Sequence, residues 1–294
     1  MIQMKSGFVN IVGKPNAGKS TLLNALVGEK LAIVSSKVQT TRHRIMAFVN
    51  GPGYQIVFSD TPGVIEPKYK LHERMMEAVR SSMEDADLCL LMADAKDDPA
   101  ELDMIFTSLA LKVKSVLVLN KIDKIHQDKI DQTLAYFSDK PYAQKVICVS
   151  ALTGKNLNLL LSTIIELLPE GNPYYGEDEL TDMPTRFFAG ELIREKIFEL
   201  FDEEIPYQAT VVVTAFEEKT SLIKISADII VQRESQKAIL LGSGGAMIKK
   251  LGTLSRQSLE KFLDAKVFLE LFIRVRSNWR NNDHHLKEYG YHVN

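Results

Sequence analysis

The chain has 294 residues, 45% apolar and 25% charged, with a formal net charge of −2. That is too long for one average domain and too neutral to grip nucleic acid over its whole surface. Two cysteines imply neither a disulfide framework nor a metal site, no apolar run approaches the roughly 18 residues of a spanning helix, and the opening MIQMKSGFVNIV has no signal-peptide core, so a cytoplasmic protein is expected.

Short apolar runs at residues 7–12, 55–59, 88–93, 116–119 and 146–149 read as buried strands. Cys89 and Cys148 lie in two of them and read as core thiols of a reducing compartment. Helical spacing marks residues 20–27, 71–83, 102–111, 129–137 and 157–168. Buried strands alternating with helices predict an α/β domain over 1–168, with a mostly parallel sheet covered by helices on both faces. In such sheets ligands bind at the carboxyl ends of the strands. Residues 169–184, PEGNPYYGEDELTDMP, hold three prolines, two glycines and five acids without a base, and read as an acidic inter-domain linker. Beyond it the order changes: a helix at 186–200, strands at 208–216 and 222–231, a helix into a Gly-rich turn, a helix at 246–263 and a strand at 267–275. Residues 185–294 therefore read as a second, α+β domain with a C-terminal tail.

Chemistry enters at the first strand's end. Gly13-Lys14-Pro15-Asn16-Ala17-Gly18-Lys19-Ser20 fits the phosphate-loop pattern and opens a helix that continues through Thr21. Backbone N–H groups of such a turn, with the helix N-terminus, form an anion site. Lys19 is placed to reach β- and γ-phosphates and the Ser20 hydroxyl to bind Mg2+. At the end of the 55–59 strand, Asp60-Thr61-Pro62-Gly63 offers a carboxylate for Mg2+ through water and a Gly63 N–H for the γ-phosphate. Between these motifs lies Val38-Gln39-Thr40-Thr41-Arg42, where one threonine is expected to ligate Mg2+; Thr41 is favoured and Thr40 stays open. Lys19, Thr41, Asp60 and Gly63 are the candidate catalytic set. The base is read by Asn120-Lys121-Ile122-Asp123 at the end of the 116–119 strand, because a carboxylate accepts from guanine N1–H and the 2-amino group, a pairing adenine lacks. Ser150-Ala151-Leu152 closes the last strand and supplies a backbone N–H near guanine O6. GTP or GDP with Mg2+ is the expected ligand, and an ATP-dependent small-molecule kinase is contradicted by Asp123.

The set GKPNAGKS, QTTRHR, DTPG, NKID and SAL resembles the Era family of GTPases, phosphate-loop enzymes related to translation factors. Ras-like GTPases orient the attacking water with a glutamine after the Asp-x-x-Gly motif. Val64 occupies that place here, so the resemblance implies slow hydrolysis until a partner helps. The resemblance also gives Asn16 two readings: holding K+ beside the phosphates, or stabilising the loop.

In the second domain Gly242-Ser243-Gly244-Gly245 forms a G-x-x-G turn between helices, the device by which KH domains clamp about four nucleotides of a single strand. A bare glycine helix break is the bland alternative, which the surrounding helix–strand order disfavours. Residues 235–259 contain no acid, while Lys237, Lys249, Lys250 and Arg256 supply positive charge. Trp279 is open to stacking on a base or packing on a helix. The Era family pairs this GTPase domain with this KH domain. The resemblance implies a monomer that binds single-stranded RNA near the 3′ end of small-subunit ribosomal RNA during 30S assembly. Peripheral membrane association belongs to the family, with no support in these residues. A GTPase whose C-terminal domain docks a protein or membrane surface is the alternative.

Overall fold

The computed structural model describes residues 4–35 and 37–291. Two compact units emerge. The first comprises Met1–Ala32, Thr41–Glu66 and Met75–Asp182, the second Ile33–Thr40, Pro67–Arg74 and Met183–Asn294.

In the first unit the strands are β1 (Lys5–Gly13), β2 (Ile45–Gly51), β3 (Tyr54–Asp60), β4 (Leu88–Asp94), β5 (Lys114–Asn120) and β6 (Lys145–Cys148). The helices are α1 (Lys19–Val27), α2 (Lys70–Glu84, in this unit from Met75), α3 (Pro99–Ser108), α4 (Gln127–Phe137) and α5 (Leu157–Leu167). The sheet order is β2-β3-β1-β4-β5-β6, parallel throughout except for the antiparallel β2–β3 pair. Parallel neighbours require crossover helices, and those helices bury both faces. Leu88 to Ala93 on β4 are all fully buried, the signature of a strand covered on both sides. Strand β2 is not among the expected strands, although Ile45–Val49 is an unbroken apolar run; it joins β3 through the Gly51–Tyr54 turn and its last three residues are only half-buried. Cys89 is fully buried and Cys148 partly so; both remain unpaired thiols.

Residues 169–182, expected as linker, are laid along this unit. Gly171 N donates to Met4 O (3.0 Å), and Gln55 accepts from Tyr174 N (2.6 Å) and donates to Tyr175 O (2.8 Å). Tyr175 stacks on Phe48 with ring centroids 3.8 Å apart. Phe48 N donates to Leu180 O (2.9 Å) and Thr181 Oγ1 to Met46 O (2.6 Å).

The second unit contains α6 (Thr185–Leu200), α7 (Ile205–Gln208), β7 (Thr210–Glu218), β8 (Ile223–Val231), α8 (Glu234–Leu241), α9 (Ala246–Leu263), β9 (Val267–Val275) and α10 (Asp283–Glu288). Its sheet order is β7-β8-β9, antiparallel then parallel. The parallel β8–β9 pair needs a long crossover, and α8 and α9 with the glycine turn between them supply it. Ala189, Leu192 and Ile193 of α6 join Ile225, Ala227, Leu259 and Val267 in one core cluster. Trp279 is fully buried, its Nε1 donating to Gln208 O (3.0 Å) and its ring stacked on Tyr291, whose hydroxyl meets Thr210 Oγ1 at 3.0 Å. It packs the core and offers no face to a base. Among the described residues no helix is long and apolar enough to cross a membrane.

Candidate nucleotide site and Gly-loop

At the carboxyl end of β1 the chain turns through residues 14–18 into α1. Gly18 has φ +97, and a Cβ there would lie 2.3 Å from Asn120 Nδ2, so both the backbone angle and the close approach require glycine. Asn16 takes the left-handed conformation at φ 62 and is exposed. Lys19 begins α1 with its ammonium turned back over the loop, donating to Gly13 O (3.2 Å) and Lys14 O (3.0 Å). It is 6% exposed. Burial lowers its pKa from 10.5 to about 8, against the opposing pull of Asp60.

Beside it three oxygens from separate segments converge. Ser20 Oγ lies 2.8 Å from Thr41 Oγ1 and 2.7 Å from Asp60 Oδ2, and Thr41 Oγ1 is 3.3 Å from Asp60 Oδ2. Asp60 is fully buried and its Oδ1 has no hydrogen-bond partner. Burial lifts its pKa, opposed by Lys19, Ser20 and Thr41. A buried carboxylate oxygen without a donor, flanked by two hydroxyls, fits a hard divalent cation such as Mg2+. The two threonines separate by geometry: Thr41 enters this cluster, whereas Thr40 Oγ1 donates to Lys37 O (3.0 Å). Gly63 packs against the loop, where a Cβ would lie 2.7 Å from the Pro15 nitrogen, and Val64 N donates to Gly13 O (3.1 Å). The Thr61 hydroxyl is occupied by Ile11 O (2.9 Å), so that side chain ties β3 to β1 and leaves only its backbone for a ligand.

Asn120 is a strut. Its Nδ2 donates to Ala17 O (2.9 Å) and its Oδ1 accepts from Ala151 N (2.9 Å), joining the phosphate loop to the loop after β6. Lys121 Nζ reaches Asn16 O (2.6 Å) and pairs with Asp94 (2.8 Å). Asp94 was not singled out from sequence; its place at the carboxyl end of β4 was the available signal. Asp123 is exposed, and a hydrogen bond from Ser150 holds its carboxyl below the usual range. Ser150 is fully buried and Ala151 nearly so, while the Leu152 side chain is 74% exposed. The predicted phosphate, cation and base residues thus lie at the ends of β1, β3, β5 and β6, with Thr41 in the segment ahead of β2, all within one unit.

In the second unit α8 ends at Gly242 (φ 69, ψ 175), and Gly244 and Gly245 also have positive φ. A Cβ on Gly242 would meet Met247 Cγ at 2.6 Å, so this glycine is demanded by the fold itself. Gly244 faces open space and Gly245 has only Ile248 Cγ2 at 4.0 Å. Ser243 is exposed, as are Lys249 and Lys250 in the first turns of α9. Lys237 lies 3.9 Å from Glu234, and Arg256 is paired with Glu260 at 3.0 Å, which draws that cation partly out of the expected patch.

A phosphate loop, a buried lysine, a hydroxyl–carboxylate cation cluster and an exposed Asp123 together define a guanine-nucleotide-binding switch of the phosphate-loop class. Residues 8–121 match the family model described as 50S ribosome-binding GTPase, and residues 204–280 match the KH domain model. The chain is 46% identical over 292 residues to GTPase Era of Geotalea daltonii, spanning 98% of both chains, and 43% identical over 291 residues to GTPase Era of Geobacter metallireducens, again 98% of both. An Aquifex aeolicus Era variant bound to GDP and AlF4− superposes with TM-score 0.94 at 39% identity, over 98% of this chain and 99% of that one. Era in complex with MgGDPNP and nucleotides 1506–1542 of 16S ribosomal RNA gives TM-score 0.93 at 39% identity and the same coverage. The chain belongs to the Era family of GTPases.

Proposed function

We propose that this chain binds and hydrolyses GTP with Mg2+, and that its KH domain binds single-stranded RNA at the 3′ end of small-subunit ribosomal RNA during assembly of the 30S particle in the cytoplasm. The observation that carries the catalytic half is the meeting of Ser20, Thr41 and Asp60 around the unpartnered Asp60 Oδ1. Mg2+ held there supplies charge neutralisation between the β- and γ-phosphates. Lys19 faces the developing charge, exchanging its Gly13 and Lys14 carbonyls for phosphate oxygens. The backbone N–H groups of residues 13 and 16–21 cradle the phosphates, and Gly63 N–H senses the γ-phosphate. Asp123 selects guanine, and Asn120 and Lys121 hold base and phosphate loops in register. Ser150 orients Asp123, while the Ala151 and Leu152 backbone closes on the base edge. Val64 cannot orient water, so the intrinsic rate is slow.

The relative solved with 16S ribosomal RNA supports the RNA half. Open space at Gly244 and Gly245, the N-terminus of α9 and the Lys249 and Lys250 ammoniums give a sugar–phosphate backbone room and charge. Nucleotide competition tests the reading. GTP and GDP should displace a fluorescent GDP while ATP does not, and Asp123→Asn should shift preference to xanthine nucleotides. Equal displacement by ATP would refute it.

A further inference from the structure

Asp94 closes β4 with its side chain 18% exposed, and its two carboxylate oxygens have different tasks. Oδ1 accepts from Lys96 N at 3.0 Å, which ties the side chain to its own loop. Asp97 N donates to the Asp94 carbonyl (2.9 Å) and Ala95 N to Asn120 O (2.9 Å), so that loop is itself fastened to the end of β5. Oδ2 then faces Lys121 Nζ at 2.8 Å. The nearby acids Asp97 and Glu101 have a cation of their own, because Lys14 Nζ lies 3.8 Å from the first and 2.9 Å from the second. Lys121 stands at φ 64, a left-handed conformation that a lysine keeps only where its surroundings impose it, and its ammonium also donates to Asn16 O at 2.6 Å. All of these residues belong to the first unit.

A lysine on a four-carbon stem loses much rotamer freedom when it is held in one place, and a single neutral carbonyl offsets little of that loss. A carboxylate beside the same ammonium adds a charge-assisted bond of roughly twice the strength. The effect reaches the phosphate loop through one peptide group. In a trans peptide the C=O and N–H point in opposite directions, so holding Asn16 O sets where the Ala17 N–H points. In this structure Ala17 N donates within the loop to Lys14 O at 3.3 Å, a long bond that an arriving phosphate oxygen can replace. We infer that Asp94 is a positioning residue for nucleotide binding: it holds the Lys121 ammonium on Asn16 O and so aims the Ala17 N–H into the phosphate-binding turn. This rests on the guanine-nucleotide reading of the site.

The test uses the full chain with Asp94→Asn, with Lys121→Met and with both together, and Asp94→Glu as the conservative change. Asparagine matches aspartate in size but has a single acceptor oxygen, so it can keep the Lys96 bond or the Lys121 bond, and carries no charge in either case. Melting temperature, GDP affinity and dissociation rate, and single-turnover hydrolysis at saturating GTP are measured for each. Amide hydrogen exchange over residues 16–18 of nucleotide-free protein adds a readout independent of nucleotide. Asp94→Asn should melt like the parent, exchange faster over 16–18, and bind GDP about tenfold more weakly through faster dissociation. Its hydrolysis rate at saturation should fall by less than its affinity. Lys121→Met should lose at least as much affinity, and adding Asp94→Asn to it should cause no further loss, because the two side chains act as one unit. Asp94→Glu, which keeps the charge, should recover part of the affinity. Parental GDP affinity and exchange in either folded single variant overturn the inference. So do losses that add in the double variant, or an affinity that merely follows the unfolded fraction, since both describe a carboxylate that does not act through Lys121. A parent that binds no GDP would instead defeat the nucleotide reading, and exchange over 16–18 would still decide whether Asp94 holds the turn.

Discussion

Measuring nucleotide affinity against pH tests what the burial of Lys19 does to the site. In the free protein its ammonium is enclosed and its pKa is lowered from 10.5 to about 8. Phosphates arriving beside it favour the charged form and drive the pKa back up, so binding near pH 8 must take up a proton. With half of the lysines neutral at that pH, uptake should be about 0.5 proton per GDP, falling to about 0.1 at pH 7. Affinity should weaken about tenfold between pH 7 and pH 9. Calorimetry in two buffers of different ionisation enthalpy reads the uptake directly. Cys89 and Cys148 do not interfere, since burial pushes their thiols up to about 12 and about 11. Lys19→Arg, charged throughout, should lose the pH dependence whatever its affinity. The stability of nucleotide-free protein carries the same signature with a defined sign. The folded pKa lies below the unfolded one, so the unfolded chain binds more protons between about pH 8 and 10.5. Stability should therefore rise with pH through that window, by up to about 3 kcal/mol. Absence of proton uptake at pH 8 would refute the reasoning.

Replacing K+ by Na+ should slow hydrolysis if Asn16 holds a monovalent cation, and Asn16→Ala should erase the difference; a rate indifferent to both changes removes Asn16 from the mechanism. The intrinsic rate itself should fall well below about 10 s⁻¹, a common enzyme turnover. Gly245→Asp has room for its side chain but adopts φ +79, at a cost of about 1–2 kcal/mol, so the domain should keep its circular dichroism spectrum. Its carboxylate would face phosphate, and single-stranded RNA binding should weaken at least about tenfold with GTP binding unchanged. A well-folded Gly245→Asp protein that binds RNA like the parent would defeat the clamp. Gly242 is the wrong residue for this experiment, because any Cβ there strikes Met247.

Motifs whose chemistry is carried by a short contiguous run were legible from the sequence. The phosphate loop, Asp60–Gly63 and the base-reading residues each follow an apolar strand, and strand ends are where such folds place ligands. Features that arise from pairing between distant segments were not. Strand β2 had a readable apolar run in Ile45–Val49, and what its residues could not show was its antiparallel pairing with β3 at the edge of the sheet. Asn120 reads from sequence as a base contact, but its amide bridges Ala17 and Ala151, residues far away in the chain. The Trp279 alternatives were equal on residue type, and the carbonyl of Gln208 decided between them.

The ordered course of residues 169–182 has a consequence for solubility. Strand β2 ends the sheet on one side, and a strand with free N–H and C=O groups there would offer a template to other chains. Phe48 N and Met46 O are already taken by Leu180 and Thr181, and Tyr175 lies flat over the Phe48 ring. The acids Glu177, Asp178 and Glu179 border this seam with like charge. A protein nicked by protease between Leu168 and Asp182 should therefore shed more than a tether: it should expose a hydrogen-bonding edge and self-associate through it.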